Sequence, residues 1–432
     1  MKTLIAITII CAVVSAFNLR AEDAPSASTP YDPAPDHLWN RLNKALFIRT
    51  DADGTQFGFN EPDILYWVGT KHLLDQPSHQ QALAILDEFI HSHGERLIRD
   101  PLKRTLLQRD LWELFVWVGW PGPNSPFPQE RKELESRLAV LIRRLALTTN
   151  EIASLPDNYA QGARDNLPDL PQGLFETNGD WVNLTQGPYG EEIAPAHDHY
   201  FGACSPFLVM MHAPGARETT TNYLNQLNSV DRVWTYRRNS FDGADSREFL
   251  DFSPNLPQFP AKTEFALVRR MCVIDQSGSI VPTPIIESIQ MRRYLAIADP
   301  TSLIISNRVI IKPPEEFFEF RMDRRQGTRL RELPKDETDF NFFMTKGFDQ
   351  IEGTRRVQRP TRSRSVLEDC ATCHSGAGIY SVNSYMRLFS SRYLYPPKPI
   401  SGPVSDTIRA AIGWKEGRFS WGLLQGLWNQ AN

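Results

Sequence analysis

The first regular hydrophobic pattern in the chain is helical and runs from His37 to about Pro156. Apolar residues recur there at intervals of three and four, which places them on one face of a helix. The two clearest stripes are Leu107, Leu111, Leu114 and Val118, then Leu134, Leu138, Leu141, Ile142 and Leu145. Four prolines between 121 and 128 separate the two helices, and Thr148 with Glu151 predicts a capping box for a short helix after them. We therefore predict an N-terminal helical layer.

The tryptophans of this region have helical spacing as well. They are Trp112, Trp117 and Trp120. Because aromatic residues at helical intervals usually pack inward, we interpret them as core residues rather than as an aromatic binding stripe.

The period changes to two between Glu264 and Met322, where β-branched and aromatic residues become frequent. The predicted strands are Phe265 to Ile274, Ile280 to Ile297, Leu303 to Ile311 and Phe317 to Met322. Turn residues from Gln276 to Ser279 separate the first two strands, and Pro282 with Pro284 predicts an edge position or a bulge near the start of the second. An antiparallel sheet is the simplest arrangement of these strands.

The remaining segments complete an α+β fold. Residues 157–260 lose their periodicity and contain frequent Gly, Pro, Asn and Asp, so we expect long ordered loops of the kind that often carry function. The predicted order is a helical region at 37–156, a loop-rich and β-rich region at 157–365, and a mostly helical segment at 366–432.

The N-terminus indicates export. Lys2 precedes an uncharged apolar run from Leu4 to Phe17 that ends in the small residues Val14-Ser15-Ala16, and a second possible cleavage site follows Ala21, which is typical of a secretory signal peptide over residues 1–21. The run is too short for the roughly 20 residues of a membrane-spanning helix. Residues 22–36 are predicted to form a flexible leader. We expect a periplasmic or secreted protein without a transmembrane segment after cleavage.

The motif with the clearest chemistry is Cys370-Ala371-Thr372-Cys373-His374. Two thiols at this spacing can each add to a vinyl group of haem, and the adjacent imidazole can then bind the iron. The pentapeptide resembles the haem-attachment site of c-type cytochromes. The resemblance covers only these five residues and the export signal. It implies one covalent haem c, with thioether bonds at Cys370 and Cys373 and with His374 as an axial iron ligand.

Three other interpretations of the motif remain. A thioredoxin-like dithiol would lie at the N-terminus of a helix, which Gly376 and Gly378 after the motif disfavour. A zinc site would need further ligands, of which His197, His199 and His212 are candidates. A disulfide between the two cysteines would leave the histidine unexplained.

The sixth iron ligand is open at this point. Small cytochromes c carry the motif near the N-terminus and an axial Met later in the chain, whereas here only 58 residues follow His374, with one Met and no His. Met386 is the preferred candidate. His197, His199 and His212 are alternatives, and so is an open or water-bound site. We therefore expect the preceding loop-rich or β-rich region to complete the pocket.

Charge is positive only locally. The whole chain has a formal net charge of −4, which excludes a global basic field for nucleic acid, but the segment from Arg321 to Arg364 has twelve Lys or Arg and seven Asp or Glu. Arginines 355, 356, 359, 362 and 364 lead into the motif. One or two of them can pair with haem propionates or steer an acidic redox partner protein, and a solvated loop is the alternative.

These observations favour an exported mono-haem protein in electron transfer. A haem enzyme of the peroxidase or oxidase type would need an open iron site and a distal acid or base, for which His197, Asp198, His199 or an arginine are candidates. A binding module with a sensory or structural haem is the third class. Cys204 and Cys272 would be the remaining thiols of the mature chain, and we expect them either to form a disulfide or both to be buried.

Overall fold

The structure is a computed structural model of the chain. It describes residues 29–50, 56–60, 72–119, 126–185, 194, 197, 204–230, 234–238, 248–252, 256–297, 315–337, 365–374, 378–382, 398–399 and 404–430.

The N-terminal part of the chain forms the predicted helical layer. Its elements are α1 (Leu38–Leu46), the two-residue strands β1 (Arg49–Thr50) and β2 (Gln56–Phe57), α2 (Ser78–His91), α3 (Pro101–Gly119), α4 (Pro128–Arg144) and α5 (Thr149–Ala153). The capping box before α5 is confirmed, because Thr148 accepts from the backbone of Glu151 and the Glu151 side chain accepts from the backbone of Thr148. Trp112 and Trp117 are buried as predicted, whereas Trp120 lies outside the described residues.

The region 157–260 contains more regular structure than the sequence predicted. It holds α6 (Asn158–Arg164), β3 (Val182–Thr185), β4 (Phe207–His212), α7 (Arg217–Asn228), β5 (Trp234–Arg238) and β6 (Glu248–Phe252). Strands β5 and β6 form a separate antiparallel pair. The expectation of mainly irregular loops was therefore wrong for the described part of this region, since β3 and β4 belong to the central sheet.

The central sheet is antiparallel, as predicted. Its other strands are β7 (Glu264–Ile274), β8 (Ile280–Tyr294), β9 (Glu315–Asp323), β10 (Arg329–Glu332) and the short β11 (Lys398–Pro399). The strand order is β10-β9-β8-β7-β4-β3-β11. The predicted strand from Leu303 to Ile311 lies outside the described residues.

The hairpin of β7 and β8 confirms both effects expected from its prolines. The pairing of the two strands shifts register between Arg269 and Cys272, which is a bulge opposite the segment that follows Pro282. Strand β9 pairs with β8 only from Ser288 to Tyr294. Among the described strands, the half of β8 that contains Pro282 and Pro284 therefore lies at an edge of the sheet. Gly278 closes the turn with a φ of 82°, a conformation that glycine adopts without strain.

The two faces of the sheet have different coverings. Leu208, Met210, Ile289, Met291 and Phe318 pack on α6, and this side is called the α6 face. Met211, Phe265 and Tyr294 point to the other side. Because successive residues of a strand alternate between faces, Arg292 lies on the same face as Tyr294, and Arg293 lies on the α6 face.

The C-terminal segment is mostly helical, which confirms the expectation. It contains α8 (Val366–Cys373), α9 (Ile379–Val382), α10 (Val404–Glu416) and α11 (Phe419–Gln430). Ile379 of α9 packs with Met211 and Tyr294, so we call that side of the sheet the α9 face. Ile408 of α10 packs on the α6 face, and Trp428 of α11 joins the core of the helical layer. No helix in the described ranges is long and apolar enough to cross a membrane.

The two remaining cysteines are buried and unpaired, which is the second of the two predicted alternatives. Cys204 and Cys272 are both fully buried and form no disulfide. Burial raises the pKa of Cys204 well above its usual value and that of Cys272 to about 12. Both side chains act as small core residues.

Candidate functional site

The attachment motif occupies the C-terminal end of α8. Ser365 starts this helix with a capping box, because its side chain accepts from the backbone of Glu368 while the Glu368 carboxylate accepts from the backbone of Ser365. Cys370 therefore lies in the last turn, and His374 caps the helix end. The C-terminal end of a helix disfavours a thiolate, which is the opposite of the environment that a thioredoxin-like dithiol needs.

His374 is oriented by a backbone hydrogen bond. Its Nδ1 atom lies 3.2 Å from the backbone oxygen of Ser381 in α9. With Nδ1 as the donor, Nε2 is the deprotonated nitrogen of the ring, which is the form that ligates a metal. Desolvation lowers the pKa of His374 well below its usual value, and the positive charge of Arg292 lowers it further. His374 is therefore a neutral imidazole at physiological pH.

His197 lies beside His374, although the two are far apart in the sequence. The centres of the two imidazole rings are 6.3 Å apart and their planes are inclined by only 10°. The ring of His197 also lies 6.0 Å from the ring of Phe207 at the start of β4. Desolvation, with a smaller contribution from Arg292, lowers the pKa of His197 to about 4. Both rings are thus neutral, as metal binding requires.

The ring separation fits two imidazoles that bind one metal ion from opposite sides. A metal–imidazole bond is about 2.0–2.1 Å long and the nitrogen lies about 1.1 Å from its ring centre, so the two centres should be about 6.2–6.4 Å apart. The observed distance is 6.3 Å. The separation and the nearly parallel planes of the two rings are therefore compatible with two imidazoles that would hold one haem iron.

Arg292 provides the positive charge of the site. It is only 8% exposed and donates hydrogen bonds to the Tyr294 hydroxyl and, at 2.6 Å, to Oγ of Ser381. Its guanidinium lies over the rings of Tyr294 and Phe317, at 5.3 and 5.5 Å from their centres. The charge is consequently held in one position next to the two histidines.

Glu315 is the carboxylate nearest to this charge among the described residues. Its side chain is 2% exposed, and one of its oxygens lies 4.0 Å from Nη1 of Arg292. The other oxygen, Oε1, is buried and has no hydrogen-bond partner among the residues that the structure describes. Burial raises the pKa of Glu315 to about 7, although Arg292 acts in the opposite direction.

His212 is not part of this arrangement. It lies on the α6 face, where its Nδ1 atom is 3.2 Å from Glu264 and its ring is 5.4 Å from that of Trp181. These residues line a separate cleft of about 520 Å³ together with Met291 and Arg293. The sheet therefore separates His212 from His374, and the suggestion that His212 is an iron ligand was wrong.

Several predicted site residues lie outside the described residues. They are Met386, Asp198, His199 and the arginines 355, 356, 359, 362 and 364. Their suggested roles as sixth ligand, distal group or propionate partners stay predictions. The side chain of Cys373 is also outside the description, so its thioether remains an expectation from the motif.

The sequence did not single out Arg292, Tyr294, Glu315 or Ser381. A partial signal was present, because Arg292 and Tyr294 are two positions apart in a predicted strand and therefore lie on one of its faces. A charged residue on the interior face of a strand needs a partner or a function. The sequence alone did not show that α9 would cover this face.

No protein-family model, curated protein or solved structure matches this chain. Within the described ranges, no cluster of three or more His, Cys, Asp or Glu could hold a metal ion.

Proposed function

We propose that the chain is an exported electron-transfer protein with one covalent haem c. Cys370 and Cys373 would form the thioether bonds, and His374 and His197 would be the two axial iron ligands. When bound, the haem supplies a one-electron redox couple. The partner would be another redox protein, and nucleic acid has no part in the proposal.

The pair of imidazoles carries this proposal. In an enzyme with an open iron site, the distal histidine stands back from the metal to leave room for a ligand. One ligand atom at about 2 Å and a hydrogen bond of about 2.7–3.0 Å would put the ring centres about 9 Å apart. The observed distance of 6.3 Å is instead close to the spacing expected for two direct ligands. Electron transfer is therefore better supported than peroxidase or oxidase chemistry.

The surrounding residues keep the two imidazoles in fixed positions and in one protonation state. Ser381 fixes the orientation of His374 through its backbone oxygen, and the Ser381 hydroxyl is held by Arg292. Desolvation keeps both imidazoles neutral over the physiological pH range. A rigid ligand set reduces the reorganisation that accompanies each electron transfer, because neither ligand has to move or change protonation.

The first experiment tests haem attachment. The protein should be expressed with its N-terminal segment in a bacterium that has the cytochrome c maturation machinery. We expect a mass equal to the processed chain plus one haem, and a pyridine haemochrome spectrum of the type given by two thioether bonds. An unmodified mass under these conditions would contradict the proposal.

The second experiment identifies the sixth ligand. The ferric wild-type protein should show a low-spin spectrum without the weak near-red band of a methionine ligand, and His197→Ala should convert it to high spin. His212→Ala is the matched control, since this histidine lies on the other face of the sheet, and it should leave the spectrum unchanged. Met386→Ala should also have no effect. A near-red band that only Met386→Ala removes would assign the position to Met386 instead.

A further inference from the structure

Glu315 stands out among the ionisable groups around the two histidines. It opens β9, and its neighbour in register on β8 is Tyr294. The side chain is almost completely removed from water, yet in the part of the chain that the structure describes its nearest cation is 4.0 Å away and its Oε1 has no hydrogen-bond partner. A buried carboxylate with an unsatisfied oxygen is costly as an anion and gains from binding a proton.

The other groups around Glu315 do not change charge near neutral pH. Burial raises the pKa of Tyr294 to about 12, so this hydroxyl stays protonated. The guanidinium of Arg292 lies on the same face of the sheet as Tyr294. His197 and His374, which face the same guanidinium, have lowered pKa values and stay neutral. On α8, which packs on β9, Glu368 is exposed.

Glu315 is connected to the histidines by a short polar path. Arg292 contacts Ser381, and the backbone oxygen of Ser381 contacts Nδ1 of His374. Arg292 influences the protonation of Glu315, His197 and His374 alike. Because the side chains of Arg292 and Glu315 are both largely removed from water, a charge added near the two histidines would be less screened at Glu315 than it would be in solvent.

We propose that Glu315 takes up a proton when the haem of this protein takes up an electron. This inference rests on the proposed function. When bound, the haem would supply the one-electron couple, and on its reduction by a redox partner protein a proton from solvent would form an O–H bond with the Glu315 carboxylate. No other bond forms or breaks. The added electron and the added proton cancel in charge, so the buried site keeps the same net charge in both redox states.

The test is potentiometry of the haem-loaded protein as a function of pH. Where a proton follows each electron, the potential falls as the pH rises, with a limiting slope of about 59 mV per pH unit because a tenfold change in a one-electron equilibrium corresponds to 59 mV. We expect this slope around neutral pH in the wild-type protein and a flattened curve in Glu315→Gln. Arg292→Gln should move the sloping region to higher pH, since the guanidinium lowers the pKa of Glu315.

Glu316→Gln is the matched control. Glu316 is the next residue of β9, points to the α6 face, is 40% exposed and pairs with Arg293. This variant should keep the wild-type slope. A second readout is the infrared difference spectrum between the two redox states, in which a protonated carboxyl band should appear on reduction and be absent in Glu315→Gln.

The outcomes separate this inference from the proposed function. A chain that carries no haem contradicts both. A low-spin haem protein that depends on His197 but has a potential independent of pH supports the proposed function and overturns the proton site. A slope that survives in Glu315→Gln, without a carboxyl band that the substitution removes, also overturns it and assigns the proton to another group.

Discussion

The Nδ1 atom of His374 lies 3.2 Å from the backbone oxygen of Ser381, so the histidine at the end of α8 is oriented by the short helix α9. The Ser381 hydroxyl is completely buried and contacts Arg292, Tyr294 and the backbone oxygen of Gly378, at 2.6, 2.7 and 2.8 Å. One serine thus joins the attachment helix to the sheet. Its backbone sets the orientation of His374, and its side chain secures that backbone.

Ser381→Ala should lower the stability of the protein without changing the iron ligands. The substitution removes a buried hydroxyl but leaves the backbone oxygen that His374 contacts. Since it leaves buried donors on Arg292 or Tyr294 without a partner, the free energy of unfolding should fall by about 1–3 kcal/mol. Urea denaturation of the haem-loaded variant measures this change.

Ser229→Ala provides the control for this measurement. The Ser229 hydroxyl donates to the backbone oxygen of Gln226 at the exposed end of α7. Its removal should change the free energy of unfolding by no more than about 0.5 kcal/mol. Equal effects of the two substitutions would mean that the Ser381 network does not stabilise the fold.

The second prediction concerns access of small anions to the iron. In the proposed function both axial positions are taken by histidines, so the ferric wild-type protein should bind azide slowly and weakly, because a protein ligand must first leave. His197→Ala removes that ligand, and azide affinity should rise at least tenfold, about 1.4 kcal/mol. A spectrophotometric titration measures this change. Tight azide binding by the wild-type protein would instead favour an open site.

Much of the fold was predictable because its longest elements have strong periodicity. The stripe from Leu134 to Leu145 predicted α4, and the alternation from Phe265 predicted β7. The two-way capping box at Thr148 needed only local sequence. Strand β4 was missed because it is short and apolar on both faces, so its sequence lacks the alternation of apolar and polar residues that indicates a strand.

Only part of the candidate site was predictable, because its residues come from segments that are far apart in the sequence. The attachment motif is contiguous, and its chemistry depends on the order of five residues. The approach of His197 to His374 depends on how distant segments cover one face of a sheet, which single-sequence patterns do not encode. Met386 lies outside the described residues, so its role stays a prediction, whereas His197 is the sequence candidate that the structure places beside His374.

The third prediction concerns a buried ion pair that ties the helical layer to the sheet. Arg324, just after β9, donates two hydrogen bonds of 2.6 and 2.7 Å to Asp110 of α3, and each side chain is 1% exposed. Arg324→Met would leave the Asp110 carboxylate buried without these bonds. The free energy of unfolding should fall by about 3–5 kcal/mol, which chemical denaturation measures.

The loss of stability in Arg324→Met should depend on pH, because the substitution leaves Asp110 buried without its partner. Burial already raises its pKa, and Arg324 opposes the rise. Without Arg324 the folded state binds a proton at Asp110 more readily than the unfolded state does, so stability should decrease as the pH rises above about 4. The loss should therefore be smaller at about pH 5 than at neutral pH. Arg409→Met, which breaks the exposed pair with Asp406, should cost less than about 1 kcal/mol at either pH.

The last prediction concerns Cys204 and Cys272 as unpaired thiols. Both are completely buried and have raised pKa values, so neither should react with iodoacetamide in the native protein at neutral pH. After denaturation without a reducing agent, both should be alkylated, and peptide mass spectrometry should find the label at these two positions. Cys370 and Cys373 should stay unlabelled, because their sulfur atoms are bound to haem in the proposed function. A chain in which Cys204 and Cys272 are alkylated only after reduction would instead contain a disulfide, which requires their Cα atoms to lie within about 7 Å of each other.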